Sequence, residues 1–310
     1  IKKQAHNRKL LQAVLEKKIT LIDYEALKDK QGNRLVAFGR YAGIVGAYNA
    51  LWTYGQRYKA FSLRRAFACF DVNDLKIALR EVKLPPVKIV LTGAGRVGKG
   101  AMETLDSAGI RKVTPDDFIH RHFSGPVYVQ LTSADYHERI AGGIFNRDEF
   151  HHYPQRYRAA FQKFYRHADM LIAGAYWNPD APPMFTCDDM REDDFNIKII
   201  ADITCDINGS IPSTKISSTI PEPLYDYDPQ NDTVHAPFTH DKYITTMAVD
   251  NLPCELPRSA SEEFGRDLID KILTPLFGDD SEGIIQRATI ATNGKLTPHF
   301  SYLQVYVDKF

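Results

Sequence analysis

Val87-Lys88-Ile89-Val90-Leu91-Thr92-Gly93-Ala94-Gly95-Arg96-Val97-Gly98 runs from an apolar segment into a Gly-x-Gly-x-x-Gly pattern, and a helix-forming segment follows it. Gly93 permits a tight turn off a strand, Gly95 lets the backbone approach a phosphate, and Gly98 lets a helix pack closely on the sheet. The N-terminus of that helix offers free N–H groups and a partial positive charge to an anion. The pattern therefore predicts a strand, a loop and a helix that bind the pyrophosphate of a dinucleotide.

Strands and helices alternate along the chain around this motif. Apolar runs predict strands at 127–130, 170–175, 198–203 and 243–249, and periodicity predicts helices at 97–108, 155–167 and 258–273. Strands that alternate with helices form a parallel sheet with right-handed crossovers. The predicted fold is α/β: a doubly wound parallel-sheet (Rossmann) domain, with a second, partly missing α/β domain built from the chain ends.

The chain has 310 residues, which is long for a single domain. Small and apolar residues from Tyr41 to Tyr54 predict a closely packed helix that links two domains. We expect the nucleotide-binding Rossmann domain, with this linking helix, at 41–274. Residues 1–40 and 275–310 are then the remnant of a substrate domain.

Composition excludes several classes of partner. Lys plus Arg and Asp plus Glu number 39 each, and no basic run is present, which argues against nucleic acid and membrane surfaces. No apolar stretch approaches the roughly 20 residues that cross a bilayer. Four widely spaced cysteines form no Cys-x-x-Cys pair, so we expect no metal site, no disulfide framework and a cytoplasmic location. Small molecules are the expected partners, and nothing in the sequence indicates an oligomeric state.

Polar residues follow several of the predicted strands. They occur at 176–179, at 202–206 and at 249–253. Ligands of open parallel sheets bind beyond the carboxyl ends of the strands, so these segments are candidates for one site. Any one of them alone is also explained by turn formation.

Three segments carry a resemblance to a known family. They are NRLVAFGRYAG at 33–43, IADITCDINGSI at 200–211 and AVDNLPCELPRSAS at 248–261. In type and in order they resemble segments of the lysine-forming saccharopine dehydrogenases and of the lysine–ketoglutarate reductase domains of bifunctional lysine-degrading enzymes. Those proteins belong with the alanine dehydrogenase and transhydrogenase fold family, and the resemblance extends over essentially the whole chain.

The resemblance implies an NAD(P)-dependent oxidoreductase that interconverts saccharopine with lysine and 2-oxoglutarate. It assigns Gly95 and Arg96 to the cofactor pyrophosphate and Tyr176 to the adenosine side, and the glycine motif and the strand after it add Gly93, Gly98 and Thr114 as cofactor-binding candidates. It places the nicotinamide and substrate near Ala201, Asp202, Ile203 and Thr204 and near Val249, Asp250, Asn251 and Leu252. It assigns the amino-acid side of the cleft to Gln4, Arg34 and Phe38, although the alignment of Arg34 can slip by one residue onto Asn33. Arginine suits a dicarboxylate, which it can bind with two parallel hydrogen bonds.

The family's acid–base residues are a Lys and a His upstream of the segment Lys2-Lys3-Gln4. The catalytic residues are therefore unknown here, and none of the ten histidines shows a catalytic spacing. Transfer at a C–N bond requires a group that takes up the amine proton and activates water. We expect residues 1–310 alone to be an inactive fragment, and a steady-state assay with lysine, 2-oxoglutarate and reduced cofactor tests this.

The choice between NAD and NADP stays open at this level. An acidic residue about 20 positions after the glycine motif normally binds the ribose hydroxyls of NAD. The corresponding strand is predicted to end at 111–114, and Asp116 and Asp117 follow Pro115 as helix-capping residues do. Thr114 beside Arg111 and Lys112 suits a 2′-phosphate, whereas Asp116 or Asp117 reaches the ribose if the strand ends later. NAD is slightly favoured.

Two other functions compete with this one. An alanine-dehydrogenase-like enzyme would aminate a smaller 2-oxo acid and would not need Arg34 and Gln4 for a second carboxylate. A non-catalytic nucleotide-binding protein would keep the fold without the acid–base pair.

Overall fold

The computed structural model describes residues 3–309, which divide into two compact units. One unit is Phe38–Ala260, and the other joins the described parts of Ile1–Ala37 and Ser261–Phe310. The corresponding sequence-based boundaries are 40 and 274. The helix Pro257–Lys271 begins in the first unit and ends in the second.

The larger unit is built on an eight-stranded sheet. In chain order its strands are β1 (Lys88–Thr92), β2 (Arg111–Lys112), β3 (Val127–Leu131), β4 (Met170–Ala173), β5 (Ile199–Asp202), β6 (Leu224–Asp228), β7 (Thr233–His235) and β8 (Ile244–Met247). Their spatial order is β7-β6-β8-β5-β4-β1-β3-β2. All neighbouring pairs from β8 to β2 are parallel, and β6 and β7 pair antiparallel at the other edge. The prediction of an α/β fold with a parallel sheet is confirmed.

Sequence periodicity missed the antiparallel strands β6 and β7. Strand β6 is buried along its whole length although it carries Asp226 and Asp228. The Asp226 carboxylate accepts a hydrogen bond of 2.7 Å from Thr245 Oγ1 and lies 3.6 Å from the Arg57 guanidinium. A buried carboxylate needs such partners, and they come from distant parts of the chain. The pattern of apolar residues therefore does not reveal this strand.

Helices cover both faces of the sheet. They are α1 (Gly39–Tyr58), α2 (Val72–Ala78), α3 (Arg96–Ser107), α4 (Pro115–His120), α5 (Ser133–Tyr136), α6 (Arg147–His152) and α7 (Gln162–Tyr165). Short 3-10 helices lie at Ala66–Ala68, Leu79–Glu81, Pro154–Arg156, Asp189–Arg191 and Leu252–Glu255. Buried side chains of α1 and α3 pack on the face that carries Ile89, Leu91 and Ile172. Phe118 of α4 and Phe164 of α7 pack on the opposite face, with Val90 and Leu171.

The predicted helix at 155–167 is wrong for most of its length. Tyr157–Ala159 is a strand that pairs antiparallel with His137–Arg139, and helix resumes only at α7. Pro154 opens a short 3-10 turn just before the strand, and Tyr157 packs edge-on against Phe150 at 5.2 Å. Tyr157 thus packs on the helix Arg147–His152, which lies between the two strands in sequence, and this tertiary contact is not visible in the helical spacing of the apolar residues.

The terminal unit combines helices with a small antiparallel sheet. Its strands are Leu21–Ile22, Thr289–Thr292 and Lys295–Leu296, in that spatial order. Its helices are Arg8–Glu16, Leu273–Phe277, Ile284–Ala288 and Gln304–Asp308, with 3-10 turns at Ala5–Asn7, Tyr24–Ala26 and Pro298–Leu303. Leu11, Val14, Ile290 and Leu303 form part of its core. Among residues 3–309, no helix has the length and apolar character needed to span a bilayer.

Candidate functional site

The loop between β1 and α3 has the geometry of an anion cradle. Gly93 has a φ of +102°, and a Cβ there would lie 2.7 Å from the Gly174 carbonyl oxygen. A Cβ on Gly98 would lie 2.1 Å from the Gly93 carbonyl oxygen, whereas a Cβ on Gly95 would meet nothing within 4 Å. Gly95 is the N-cap of α3, so no capping side chain covers the first N–H groups of the helix. The loop therefore leaves space at Gly95 that fits a pyrophosphate against a helix N-terminus.

The sheet reverses its direction of winding next to this loop. From β1 the chain continues to β2 and β3 on one side, and β4 lies on the other side with β5 and β8 beyond it. Thr92, the last residue of β1, pairs in register with Leu131 of β3 and with Ala173 of β4. Nucleotides bind at such a switch point in open parallel sheets. Gly93 to Gly98 and Tyr176 lie at this end of the sheet.

Asp202 closes β5 and organises the loop after it. Its carboxylate accepts hydrogen bonds from Thr204 N at 3.0 Å, from Thr204 Oγ1 at 2.6 Å and from Thr214 Oγ1 at 2.7 Å. Burial raises the pKa of Asp202, and the bonds from Thr204 and Thr214 oppose that rise. Ala201 and Ile203 are buried beside it. The residues predicted near the nicotinamide thus form a fixed turn rather than an open loop.

The loops after β5 and β8 are connected directly. Cys205 Sγ lies 3.0 Å from the Ala248 carbonyl oxygen, and Ser218 Oγ accepts from Ala248 N at 3.2 Å. Asn251 has a φ of +67° and precedes the short helix Leu252–Glu255, in which Leu252 is buried. The structure therefore brings the predicted segments 201–204 and 249–252 together at the carboxyl end of neighbouring strands.

Glu255 holds the loop 249–252 in place through hydrogen bonds to Asn49 and Arg65. The side chain is buried and accepts from Asn49 Nδ2 at 2.7 Å and from an Arg65 guanidinium N–H at 3.2 Å. Burial raises its pKa, and Asn49 and Arg65 oppose that rise. The Arg65 guanidinium lies 4.5 Å from the centre of the Trp52 ring. These contacts fix the loop to α1, and the sequence did not single them out.

Two predicted nucleotide-binding residues have different surroundings. Tyr176 follows β4 and is 89% exposed, so its ring is available to a ligand. Thr114 caps α4, where its Oγ1 accepts from Asp117 N at 3.1 Å, and Asp116 and Asp117 lie in the first turn of that helix. Strand β2, which precedes Thr114, is the edge strand and does not touch β1. Thr114 is therefore farther from the glycine loop in the sheet order than the sequence suggests.

The predicted substrate-binding residues belong to different units. Gln4 and Arg34 lie in the terminal unit, where Gln4 Oε1 accepts from Asn7 Nδ2 at 3.1 Å and Arg34 pairs with Glu25 at 3.1 Å. Phe38 begins the larger unit as the N-cap of α1. Their role as a substrate-binding set stays a prediction.

Two pockets lie beside the sheet of the larger unit. The edge pocket, about 560 Å³, is lined by Arg111, Lys112, Thr114, Arg121, Phe123 and Gln130. The strand-end pocket, about 50 Å³, is lined by residues that include Thr92, Ser133, Tyr136, His137, Phe150 and Trp177. Within residues 3–309, no group of His, Cys, Asp and Glu side chains could hold a metal ion.

The strand-end pocket contains buried polar atoms that the protein itself does not satisfy. Thr92 Oγ1 and His137 Nδ1 have no hydrogen-bond partner among the described residues. His137 Nε2 lies 3.1 Å from the Pro182 carbonyl oxygen, and burial lowers the pKa of His137 against the opposing effect of the Pro182 and Ser133 carbonyls. Buried polar groups are normally paired, so these atoms indicate a place for a polar ligand or water. Sequence reasoning missed this pocket because its residues come from five separate segments of the chain.

The chain is similar in sequence to two kinds of known protein. No family model matches the chain. The alpha-aminoadipic semialdehyde synthase of mouse, named as mitochondrial, is 30% identical over a gapped alignment of 352 positions, which covers 98% of this chain and 38% of the mouse protein. The saccharopine dehydrogenase (NAD+, L-lysine-forming) of Neurospora crassa is 26% identical over 82% of this chain and 61% of that protein. The chain is a homologue of both. It spans less than two thirds of the length of either relative.

Solved structures support the same fold. An L-alanine dehydrogenase matches 98% of this chain with a TM-score of 0.55 at 15% identity, over 73% of its own chain. A transhydrogenase from Sinorhizobium meliloti matches 96% of this chain with a TM-score of 0.54 at 14% identity, over 74% of its own chain. The predicted resemblance to the saccharopine dehydrogenases and to the alanine dehydrogenase fold is thus confirmed.

Proposed function

We propose that the chain supplies the dinucleotide-binding part of an NAD(P)-dependent oxidoreductase that acts on a CH–NH bond and interconverts saccharopine with lysine and 2-oxoglutarate, and that residues 1–310 alone do not turn over because the family's Lys and His are not among them. The open cradle at Gly95, on the N-terminus of α3, carries the cofactor part of this proposal. The names of the homologous relatives support the substrate part. The proposed partners are therefore small molecules.

Each loop has a separate task in this reaction. The backbone from Gly93 to Gly98 holds the pyrophosphate, and the loops 201–204 and 249–252 orient the nicotinamide against the substrate. The fixed Asp202 turn and the Glu255 anchor keep both loops in place without rearrangement, which favours a preorganised site. When bound, the nicotinamide supplies or accepts the hydride.

The reaction balances without any further reagent. In the direction of lysine formation, the carbon that bears the secondary amine of saccharopine loses a hydride to NAD(P)+ and becomes an imine after loss of the amine proton. Water adds to the imine carbon, and the C–N bond breaks to give lysine and 2-oxoglutarate. The proton transfers need an acid–base group, in line with the Lys and His that the family resemblance implies.

Substitution of Gly95 tests the cofactor part. Gly95→Asp places a carboxylate in the open cradle, with a φ of −78° that an L-residue adopts freely. We expect the dissociation constants of NADH and NADPH, measured by isothermal titration calorimetry, to rise at least about tenfold, because the carboxylate repels the pyrophosphate. The matched control is Gly125→Asp, which also enters open space and should leave binding unchanged. Unaltered binding by Gly95→Asp with an unaltered melting temperature contradicts the proposal.

The substrate part is tested by ligand-induced stabilisation. With NAD(P)+ present, we expect saccharopine to raise the melting temperature more than alanine does, since a ligand that binds only the native state stabilises it. Equal shifts would favour the alanine-dehydrogenase-like alternative. If the chain binds neither NAD nor NADP, both the saccharopine-converting enzyme and the alanine-dehydrogenase-like alternative are contradicted.

We also propose a cytoplasmic location, because the four free cysteines suit a reducing compartment. The name of the mouse relative places that protein in mitochondria. Cell fractionation with an antibody to this chain distinguishes the two compartments.

A further inference from the structure

The edge pocket is the larger of the two pockets beside the sheet, with a volume of about 560 Å³. Pockets that bind small molecules usually measure about 300–1,000 Å³. Strand β2 forms part of its wall, and β2 pairs on one side only, with β3, so its outer backbone edge is open. The edge pocket therefore lies along a free edge of the sheet and has room for a small molecule.

Positive charge exceeds negative charge in the wall of the edge pocket. Among residues 3–309, the charged side chains that line it are Arg111, Lys112, Arg121 and Asp117. Arg121 Nε lies 2.7 Å from Asp117 Oδ1, so this pair is neutral and the other two cations are not compensated. Basic and acidic residues of the whole chain balance at 39 each, so the excess is a local property of this pocket.

Arg111 and Lys112 form no ion pair within the part of the chain that the structure describes. The Arg111 guanidinium lies 5.0 Å from the centre of the Phe123 ring, and Lys112 Nζ lies 3.5 Å from Met102 Sδ. An aromatic ring and a thioether sulfur do not neutralise a cation. Both charges are therefore available to an anion.

The edge pocket also offers a neutral donor and an apolar wall. Thr114 Oγ1 accepts from Asp117 N at 3.1 Å, which leaves its own O–H to donate to a ligand. Val113 and Phe123 line the pocket as well and supply apolar surface. This combination suits an anion that has a carbon skeleton or several charged oxygens.

The edge pocket is separate from the glycine cradle. Strand β3 lies between β2 and β1, which places β2 and β1 about 10 Å apart. Gln130 of β3 lines the edge pocket, and its Nε2 donates to the Gly93 carbonyl oxygen at 3.3 Å. A ligand in the edge pocket thus lies beside a side chain that is hydrogen-bonded to the cradle, without entering the cradle.

We propose that the edge pocket binds a small anion with two or more carboxylate or phosphate groups, and that this ligand is separate from the dinucleotide. The inference goes beyond the proposed function and does not depend on it. Two cations without ion-pair partners, in a pocket of the size that small molecules occupy, carry the inference. Basic side chains at a free sheet edge also prevent pairing with other chains, and that role alone requires no ligand.

Titration calorimetry of the whole chain at constant ionic strength tests the site, with citrate and inorganic pyrophosphate as probes. We expect at least one probe to bind with a dissociation constant below about 1 mM, and to bind also in the presence of NADH or NADPH. Tighter binding of citrate identifies a polycarboxylate as the ligand, and tighter binding of pyrophosphate identifies a phosphate compound.

Three variants locate the bound probe, and the melting temperature of each is measured as a check on folding. Lys112→Gln removes a charged donor and should weaken binding about tenfold. Asp117→Asn removes the carboxylate of the pocket and releases Arg121, so binding should tighten about threefold. The control Lys242→Gln removes an exposed cation that precedes β8, on the far side of the sheet from β2, and should not change binding.

Several outcomes overturn the inference. If neither probe binds at millimolar concentration, or if Lys112→Gln and Lys242→Gln have equal effects, the cations only protect the sheet edge. If NADH displaces both probes, they occupy the cradle, and if only NADPH displaces them, the edge pocket belongs to the dinucleotide site. The proposed function fails separately, when the unaltered chain binds neither dinucleotide.

Discussion

Single buried side chains control the shape of the loops that we assign to the cofactor. Glu255 is the clearest example, because its carboxylate is buried and is shared between Asn49 and Arg65. A buried charge is tolerated only when its partners are close and well oriented. The loop 249–252 therefore depends on contacts made by α1 and by the segment that follows it.

At this scale we expect Glu255→Ala and Glu255→Gln to differ strongly. The alanine variant leaves Arg65 and Asn49 without their common acceptor, which should lower the free energy of unfolding by about 3–5 kcal/mol. The glutamine variant keeps an acceptor oxygen and should cost clearly less. Urea denaturation followed by circular dichroism measures both. If both variants lower the free energy of unfolding equally, then the packing of the side chain, and not the shared acceptor, stabilises the protein at this position.

Helices α1 and α3 pack so closely that no side chain fits at two glycines of their contact. Where α1 crosses α3, a Cβ on Gly43 would lie 1.9 Å from the Val97 carbonyl oxygen, and a Cβ on Gly100 would lie 2.0 Å from the Arg40 carbonyl oxygen. Arg40 also forms a two-pronged ion pair with Glu103 across the same contact, at 2.9 and 3.0 Å. The phosphate-binding helix is thus set in position by a close contact between two backbones.

Gly43→Ala therefore tests the helix crossing. The substitution gains about 1 kcal/mol of helix propensity, but separating the helices costs more, so we expect a net loss of about 1–3 kcal/mol in unfolding free energy. Gly265→Ala is the matched control. It lies in the helix Pro257–Lys271, where a Cβ would meet nothing within 4 Å, and it should stabilise the protein by about 0.5–1 kcal/mol. Stabilisation by both variants would contradict the close crossing.

At the scale of the whole molecule, the candidate nucleotide site lies within one unit. The glycine loop and the loops 201–204 and 249–252 all belong to Phe38–Ala260. That unit has a hydrophobic cluster on each face of its sheet, and the terminal unit has separate clusters of its own. A unit that buries its own core can fold alone.

We accordingly expect a fragment of residues 38–271, which keeps the helix Pro257–Lys271 whole, to fold and to bind the cofactor. Its dissociation constant should lie within about threefold of that of the longer chain, or about 0.7 kcal/mol. Circular dichroism and calorimetry measure folding and binding. A folded fragment that has lost binding would show that the terminal unit contributes to the nucleotide site.

The glycine motif, the parallel strands and the family relationship could be predicted from the sequence, because each depends on local pattern. The strand, turn and helix at Lys88–Ser107 are encoded within one short segment, and so are the strands β3, β4, β5 and β8. The family segments at 33–43, 200–211 and 248–261 are likewise continuous. In contrast, the hairpin at 137–159 and the strands β6 and β7 depend on aromatic contacts or buried carboxylates whose partners are not visible in local periodicity.

The sequence by itself determined that this chain forms a phosphate-binding turn on a parallel sheet, because glycine spacing and apolar runs act over a few residues. Only the tertiary structure decided which strand lies beside that turn. Sheet order depends on how the crossovers pack, and no local pattern records it. For this reason the strand that follows α3 in the sequence, β2, lies at the edge of the sheet, and β3 lies between it and β1.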